Sequence, residues 1–374
     1  MNSVEAISSG RVLGCVENHD AGAPSALDRR ALLLGVLLVA LLGAAVISAG
    51  LGAVTIAPME IVRLILASVG LSTAPIDPLH ETIFWNIRLP RVLLGVLVGA
   101  TLGLGGAISQ AVFRNPLAEP GLIGISTGAA LAVVGITILG AAILPAALHQ
   151  TLGGWLMPAA AFCGGLAATW LVQRLARTRG GRMSAASLVL AGIALNSFAG
   201  ALTGLLLFVA DDAQLRTVTF WTLGSLGSAS WSSLTIGAPL MVIPAIAMLW
   251  AATPLNALVL GEAEAGHTGI RVERLKTVLF IGMALGVGAA VSLSGVIGFV
   301  GLVVPHLLRL AMGPDHRFLI PGSIIGGALL LVVADAVART VAAPAEIPLG
   351  VLTALVGGPF FLWMLRRAGA EVFA

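Results

Sequence analysis

From residue 31 onward, long apolar runs alternate with short polar breaks. A membrane-spanning helix needs about 20 mainly apolar residues, because a rise of 1.5 Å per residue must cover about 30 Å of hydrocarbon. Runs of that kind fall at 31–53, 91–112, 121–144, 153–173, 186–209, 232–252, 275–297, 298–312, 318–341 and 347–365. Hydrocarbon offers backbone N–H and C=O groups no partner, so runs of this length are read as helices. The pattern predicts an all-α polytopic membrane protein with ten spans, the eighth short and the division of 275–312 open. Residues 1–26 lack the pattern and read as a disordered cytoplasmic tail. Residues 27–374 read as one ten-span membrane domain.

The polar breaks set the orientation. Loops on the cytoplasmic side collect Lys and Arg. With the N-terminus inside, only Arg63, Arg88, Arg91, Arg216 and Arg339 of the 20 basic residues fall outside, a three-to-one bias. An even number of spans then returns the C-terminus to the cytoplasm.

Composition agrees with the pattern and narrows the chemistry. The chain is 58% hydrophobic and only 10% charged, with a mean hydropathy of +1.04. Its basic residues are scattered at helix ends rather than gathered in a stripe, which argues against a nucleic-acid partner. Cys15 and Cys163 stand far apart with no metal-ligand spacing around them. Lys276 is the only lysine and has no G-K-[ST] context, so the chain carries no phosphate loop. No catalytic or metal-binding set emerges. An ion-coupled transporter would need acidic pairs at mid-membrane, and almost none occur. Asp335, the main exception, lies four residues before Arg339 and is expected to pair with it locally.

Four smaller patterns stand out. Gly95, Gly99 and Gly103 recur every four residues in the second span and predict a face for close helix packing. Asn196, Gly200 and Thr203 share a helical spacing in the fifth span and so a face, with ordinary interhelical bonding as its simpler role. "PLNALVLGEAEAGHTG" (254–269) breaks the apolar texture between the sixth and seventh spans. Thr253-Pro254 suits a helix start, Gly261 an interruption and Gly269 a stop. Two short cytoplasmic helices are predicted there. His306 in "VPHLLR" is expected to make a structural hydrogen bond.

Several strings carry a resemblance: "IRLPRVLLGVLVGATLGLGGAISQAVFRNPLAEPGLIGISTGA" (87–129), "FWTLGSLGSASW" (220–231), "LNALVLGEAEAGHTGI" (255–270), "GFVGLVVPHLLRLAMGPDHR" (298–317) and "APAEIPLGVLTALVGGPFFLWML" (343–365). Together they resemble the FecCD/BtuC family of bacterial importer permeases. The resemblance implies a type II ABC importer permease fold in the inner membrane. It implies a partnership with a second copy, two copies of a cytoplasmic ATP-binding subunit and a periplasmic substrate-binding protein. Such a permease catalyses nothing and binds no cofactor; ATP and Mg sit on the partner ATPase. The two short helices become coupling helices, with Glu262, Glu264 and His267 as polar contacts and Leu258 and Leu260 as apolar packing. Arg88, Arg91 and Arg339 match the family's docking arginines for an acidic binding protein. The path would run along spans five and ten near a two-fold axis, with the shared face of Asn196, Gly200 and Thr203 as its candidate lining. "FWTLGSLG" and the 343–365 string look closest to haem permeases, so haem is the expected cargo, ahead of ferric siderophores and cobalamin.

Overall fold

The computed structural model describes residues 26–372, apart from 53, 72–75, 146, 148–150 and 179–180. The N-terminal tail, up to residue 25, lies outside the described residues. The chain forms α1 (Ala26–Gly50), α2 (Pro58–Ser68), α3 (Pro78–Ile83), α4 (Leu89–Val112), α5 (Ile125–Ile143), α6 (Leu156–Ala176), α7 (Ala185–Phe208) and α8 (Asp212–Thr222). It continues as α9 (Trp231–Leu249), α10 (Ala252–Leu260), α11 (Glu262–His267), α12 (Val272–Ser294), α13 (Val300–Met312), α14 (His316–Thr340) and α15 (Leu349–Val372). Among the described residues, eight helical stretches are long and apolar enough to cross a membrane, and Val300–Met312 and Leu349–Trp363 are shorter apolar helices. The ten predicted runs correspond to these.

Short polar side chains set many of the helix starts. The Ser184 hydroxyl accepts from the Ser187 N–H and begins α7. Asp211 and Ser230 form capping boxes at α8 and α9. The Asp315 carboxylate accepts from the Arg317 N–H at α14. Each satisfies a backbone donor that has no partner inside the helix.

The second span is longer than its apolar run implied. It starts at Pro78 and runs to Val112, because a π-helical turn, Phe84–Arg88, joins α3 to α4 without a break. In that turn the Leu89 N–H bonds back to the Phe84 carbonyl. Pro90 has no N–H to offer the Trp85 carbonyl. The Trp231 indole N–H fills the vacancy, donating to Trp85 O at 2.9 Å.

α4 sits at the centre of the molecule. It packs along α14 and also meets α9, α12 and α13, while α5, α6 and α7 form an adjoining group. The glycine stripe explains the closest crossing. A Cβ on Gly99 would strike the Gly327 carbonyl and the Ala328 backbone, and one on Gly103 would strike the Ser323 carbonyl. Backbone touches backbone there, as close helix packing in lipid demands. Burial differs sharply among the spans. In α3–α4 78% of the central window is buried, against 17% in α7, so α7 turns most of its surface away from its own chain.

Candidate functional site

Two polar assemblies lie at opposite ends of α14, whose 25 residues span about 37 Å at 1.5 Å per residue.

At one end Arg88, Arg91 and Arg339 converge. Asp335 and Glu346 meet them there, and all but Asp335 line one cavity of about 580 Å³. None of the three arginines is a freely exposed charge: each is less than 10% exposed. The reason is a carboxylate network. Arg91 Nε donates to both Asp335 oxygens at 3.1 and 3.2 Å, and Nη2 donates to Oδ1 at 2.9 Å. Its other edge grips Glu346 through Nη1 and Nη2, both at 2.8 Å. Arg339 pairs with Asp335 four residues earlier at 3.0 Å, as its spacing predicted. It also donates to the Leu51 and Ser48 carbonyls and to the Ser48 hydroxyl, tying α14 to the end of α1. Asp335 is therefore a hub between two cations rather than half of a local pair. The Arg91 guanidinium holds the Glu346 carboxyl below the usual carboxylate range. Arg88 differs. Among the described residues it makes one hydrogen bond, to the Val54 carbonyl at 3.3 Å, and no carboxylate pairs with it. Its guanidinium lies on the backbone of Gly52, where a Cβ would collide with it.

At the other end are α10 and α11, the two short helices predicted at 254–269. Gly261 separates them at φ 144°, a conformation that suits glycine, and Gly269 follows α11 at φ 85°. The predicted contact residues divide. Leu260 is 78% exposed, and Glu264 and His267 are exposed too. Leu258 is buried, and Glu262 reaches back to pair with Lys276 Nζ at 2.8 Å. Leu258 and Glu262 thus also hold the knob to the body, and Glu262 does so with a side chain still 35% exposed. The outer surface keeps Leu260, Glu264 and His267. α10 is clasped separately: the Asn256 side chain donates to Asp315 Oδ1 at 2.8 Å and accepts the His316 N–H at 2.9 Å. Asn256, Lys276, Asp335 and Glu346 were not singled out as site residues. The signal available was a polar residue placed in an apolar run, which names a suspect but not its partner.

These roles separate in mutants. Glu262→Ala is expected to lower stability by about 1–3 kcal/mol, since it takes a partner from a buried ammonium. Glu264→Ala is expected to stay within about 0.5 kcal/mol of the parent. Thermal unfolding in detergent measures both, and equal stabilities for the two variants would contradict this assignment.

The path candidates all lie on α7. The Asn196 side chain donates to the Gly121 carbonyl at 3.3 Å, the ordinary interhelical role. Gly200 is exposed with nothing near its Cβ position, and Thr203 is half-buried. His306 does not make the expected hydrogen bond through Nδ1, which has no partner among the described residues. Its ring stands edge-on to Phe360 with centroids 6.2 Å apart.

Comparison with known proteins gives one answer at three levels. Residues 37–367 match the model of the FecCD transport family. The chain is 46% identical over 336 residues to the hemin transport system permease protein HmuU of Yersinia pestis, covering 90% of this chain and 96% of that one. It is 40% identical over 296 residues to the vitamin B12 import system permease protein BtuC of Escherichia coli O139:H28, covering 78% and 86%. A solved structure described as an inward-facing conformation of a metal-chelate type ABC transporter aligns with a TM-score of 0.76 at 29% identity, covering 90% of this chain and 99% of that one.

Proposed function

The chain belongs to the FecCD transport family and is a multi-pass membrane permease, and on that premise we propose that it serves an ATP-driven importer of haem. The observation that carries the cargo is the identity to the hemin permease, which is higher and longer than that to the cobalamin permease. Two copies of the permease enclose the path between them in the bacterial inner membrane, with both termini in the cytoplasm. A periplasmic binding protein delivers haem at the arginine end. Two copies of an ATPase subunit seat the α10–α11 knob at the other end. ATP shifts the dimer between outward- and inward-open states because the partner binds the two with different affinity.

The arginine cavity supports the docking half of this reading. A carboxylate from the binding protein meets Arg88, the one of the three arginines that no carboxylate of the described chain neutralises. Arg88→Glu is therefore expected to leave the fold intact and to weaken capture of the binding protein about tenfold at low salt. The difference should shrink at high salt, since charges at a docking surface act mainly on encounter and are screened over about 8–10 Å. Arg91 and Arg339 are unsuited to the same experiment because their reversal breaks a buried network. Unchanged capture at both salt concentrations would remove Arg88 from the docking surface.

Cargo is tested by presenting the purified cognate binding protein with haem, a ferric siderophore and cobalamin. Tight binding of haem and release of haem alone on docking to the permease–ATPase complex is the expected result. Preference for cobalamin or a siderophore would keep the mechanism and replace the cargo.

A further inference from the structure

We infer that Lys276 is the positioning residue that carries movement of α11 into α7. The inference rests on reading α10–α11 as the seat of the ATPase, and it adds the connection from that seat to the spans.

Lys276 is the chain's only lysine and its side chain is 1% exposed. An ammonium has three donors and no acceptor. Here they meet three oxygens from three segments. Nζ pairs with Glu262 Oε2 of α11 at 2.8 Å and with Glu273 Oε1 in the first turn of α12 at 3.3 Å. It donates to the Met183 carbonyl at 2.6 Å. Glu273 uses its second oxygen to accept the Met183 N–H at 3.0 Å. The Met183 residue is gripped through both backbone groups, and its side chain is buried as well. The next residue, Ser184, is the N-cap of α7, accepting from the Ser187 N–H at 3.0 Å. Charge-assisted contacts therefore run from Glu262 through Lys276 to Met183, and the N-cap bond of Ser184, the next residue, carries on into the first turn of α7.

Among the described residues, no other ion pair holds α11. It has six residues and Ala265 is its only buried side chain. A helix that short has no stability of its own in water, so its placement is set by what it is tied to. Charge-assisted bonds are the stronger and more directional ones. At the far end of the relay, α7 packs on α5, α6 and the Pro120–Ile123 turn, and with 17% of its central window buried it leaves most of its surface free of its own chain. Asn256 ties the other short helix, α10, to α14 instead. The knob therefore has two separate outlets, and Lys276 serves the one leading to α7.

Spin labels at Ala263→Cys on α11 and Ala186→Cys on α7, both exposed positions, report the relay in the full-length permease carrying Cys15→Ser and Cys163→Ala. The parent is expected to give one narrow distance that changes when the ATPase subunits bind ATP. Lys276→Met keeps the apolar stem and deletes all three contacts. It should broaden the distance in the permease alone and cut cargo moved per ATP at least tenfold. Capture of the ATPase should stay within about twofold of the parent, and Lys276→Arg should restore most of the coupling. A narrow distance and unchanged cargo per ATP in Lys276→Met would overturn the inference. If that variant does not fold, Glu262→Gln, which leaves Lys276 its two other acceptors, decides by the same two readouts. Failure of the parent to bind any ATPase subunit would instead sink the reading of α10–α11, while the distance in the permease alone still decides the clamp.

Discussion

Gly99→Leu is expected to abolish assembly of the folded permease. A side chain there would enter the carbonyl of Gly327 and the backbone of Ala328, and α4 and α14 would have to separate. Overpacking in a well-packed core commonly costs about 1–3 kcal/mol, and more where neither neighbour can yield. Here the obstacle is backbone rather than the end of a flexible side chain, so the cost belongs at or above the top of that range. α4 also touches α9, α12 and α13, so the displacement would spread through the centre of the molecule. Gly35→Leu is the matched control, because nothing lies within 4 Å of the Cβ position at Gly35 on α1. Yield and thermal unfolding in detergent measure both. Parent-like yield and stability for Gly99→Leu would mean that α4 and α14 are not in backbone contact.

Asp335→Ala is the second large effect. Asp335 is 2% exposed and stands between Arg91 and Arg339, two buried cations. Removing it leaves Glu346 as the remaining carboxylate of the network, paired to Arg91 alone. Breaking a buried pair by deleting one partner costs about 3–5 kcal/mol, because an uncompensated charge stays behind. Removing a cation together with the carboxylate should cost less. Asp335→Leu with Arg339→Met leaves the Arg91–Glu346 pair intact, so the double variant is expected to be more stable than Asp335→Ala. If the single variant were the more stable, the network would have to be loose and solvated.

Much of this architecture was legible because a lipid solvent makes sequence speak plainly. The apolar runs marked the spans, since charge is too costly to scatter there. The glycine period marked the α4–α14 contact, since only close backbone approach requires it. Gly261 and Gly269 marked the ends of α11 through the backbone angles they permit. What escaped has equally specific causes. α2 and α8 are 11 residues each and amphipathic or polar, so they leave no long apolar run. The π turn at Phe84–Arg88 has no period of its own and shows itself through Pro90 and a tryptophan 146 residues away. The arginines were found, but not their burial: Arg91 and Asp335 lie 244 positions apart, and no local spacing reports such a pair. The same holds for Lys276, whose partners come from three segments. The inward side of α10 and α11 was not legible either, because helices of nine and six residues are too short for their pattern to say which side faces in.

Reconstitution tests the central claim most directly. The permease is placed in proteoliposomes with its ATPase subunits facing the medium, and the haem-loaded binding protein is sealed in the lumen. Haem leaving the lumen is measured with and without external ATP. The account predicts haem release to the medium that requires ATP, the ATPase and the binding protein together, and that is indifferent to a proton or sodium gradient. Release driven by an ion gradient in the absence of ATP would contradict it.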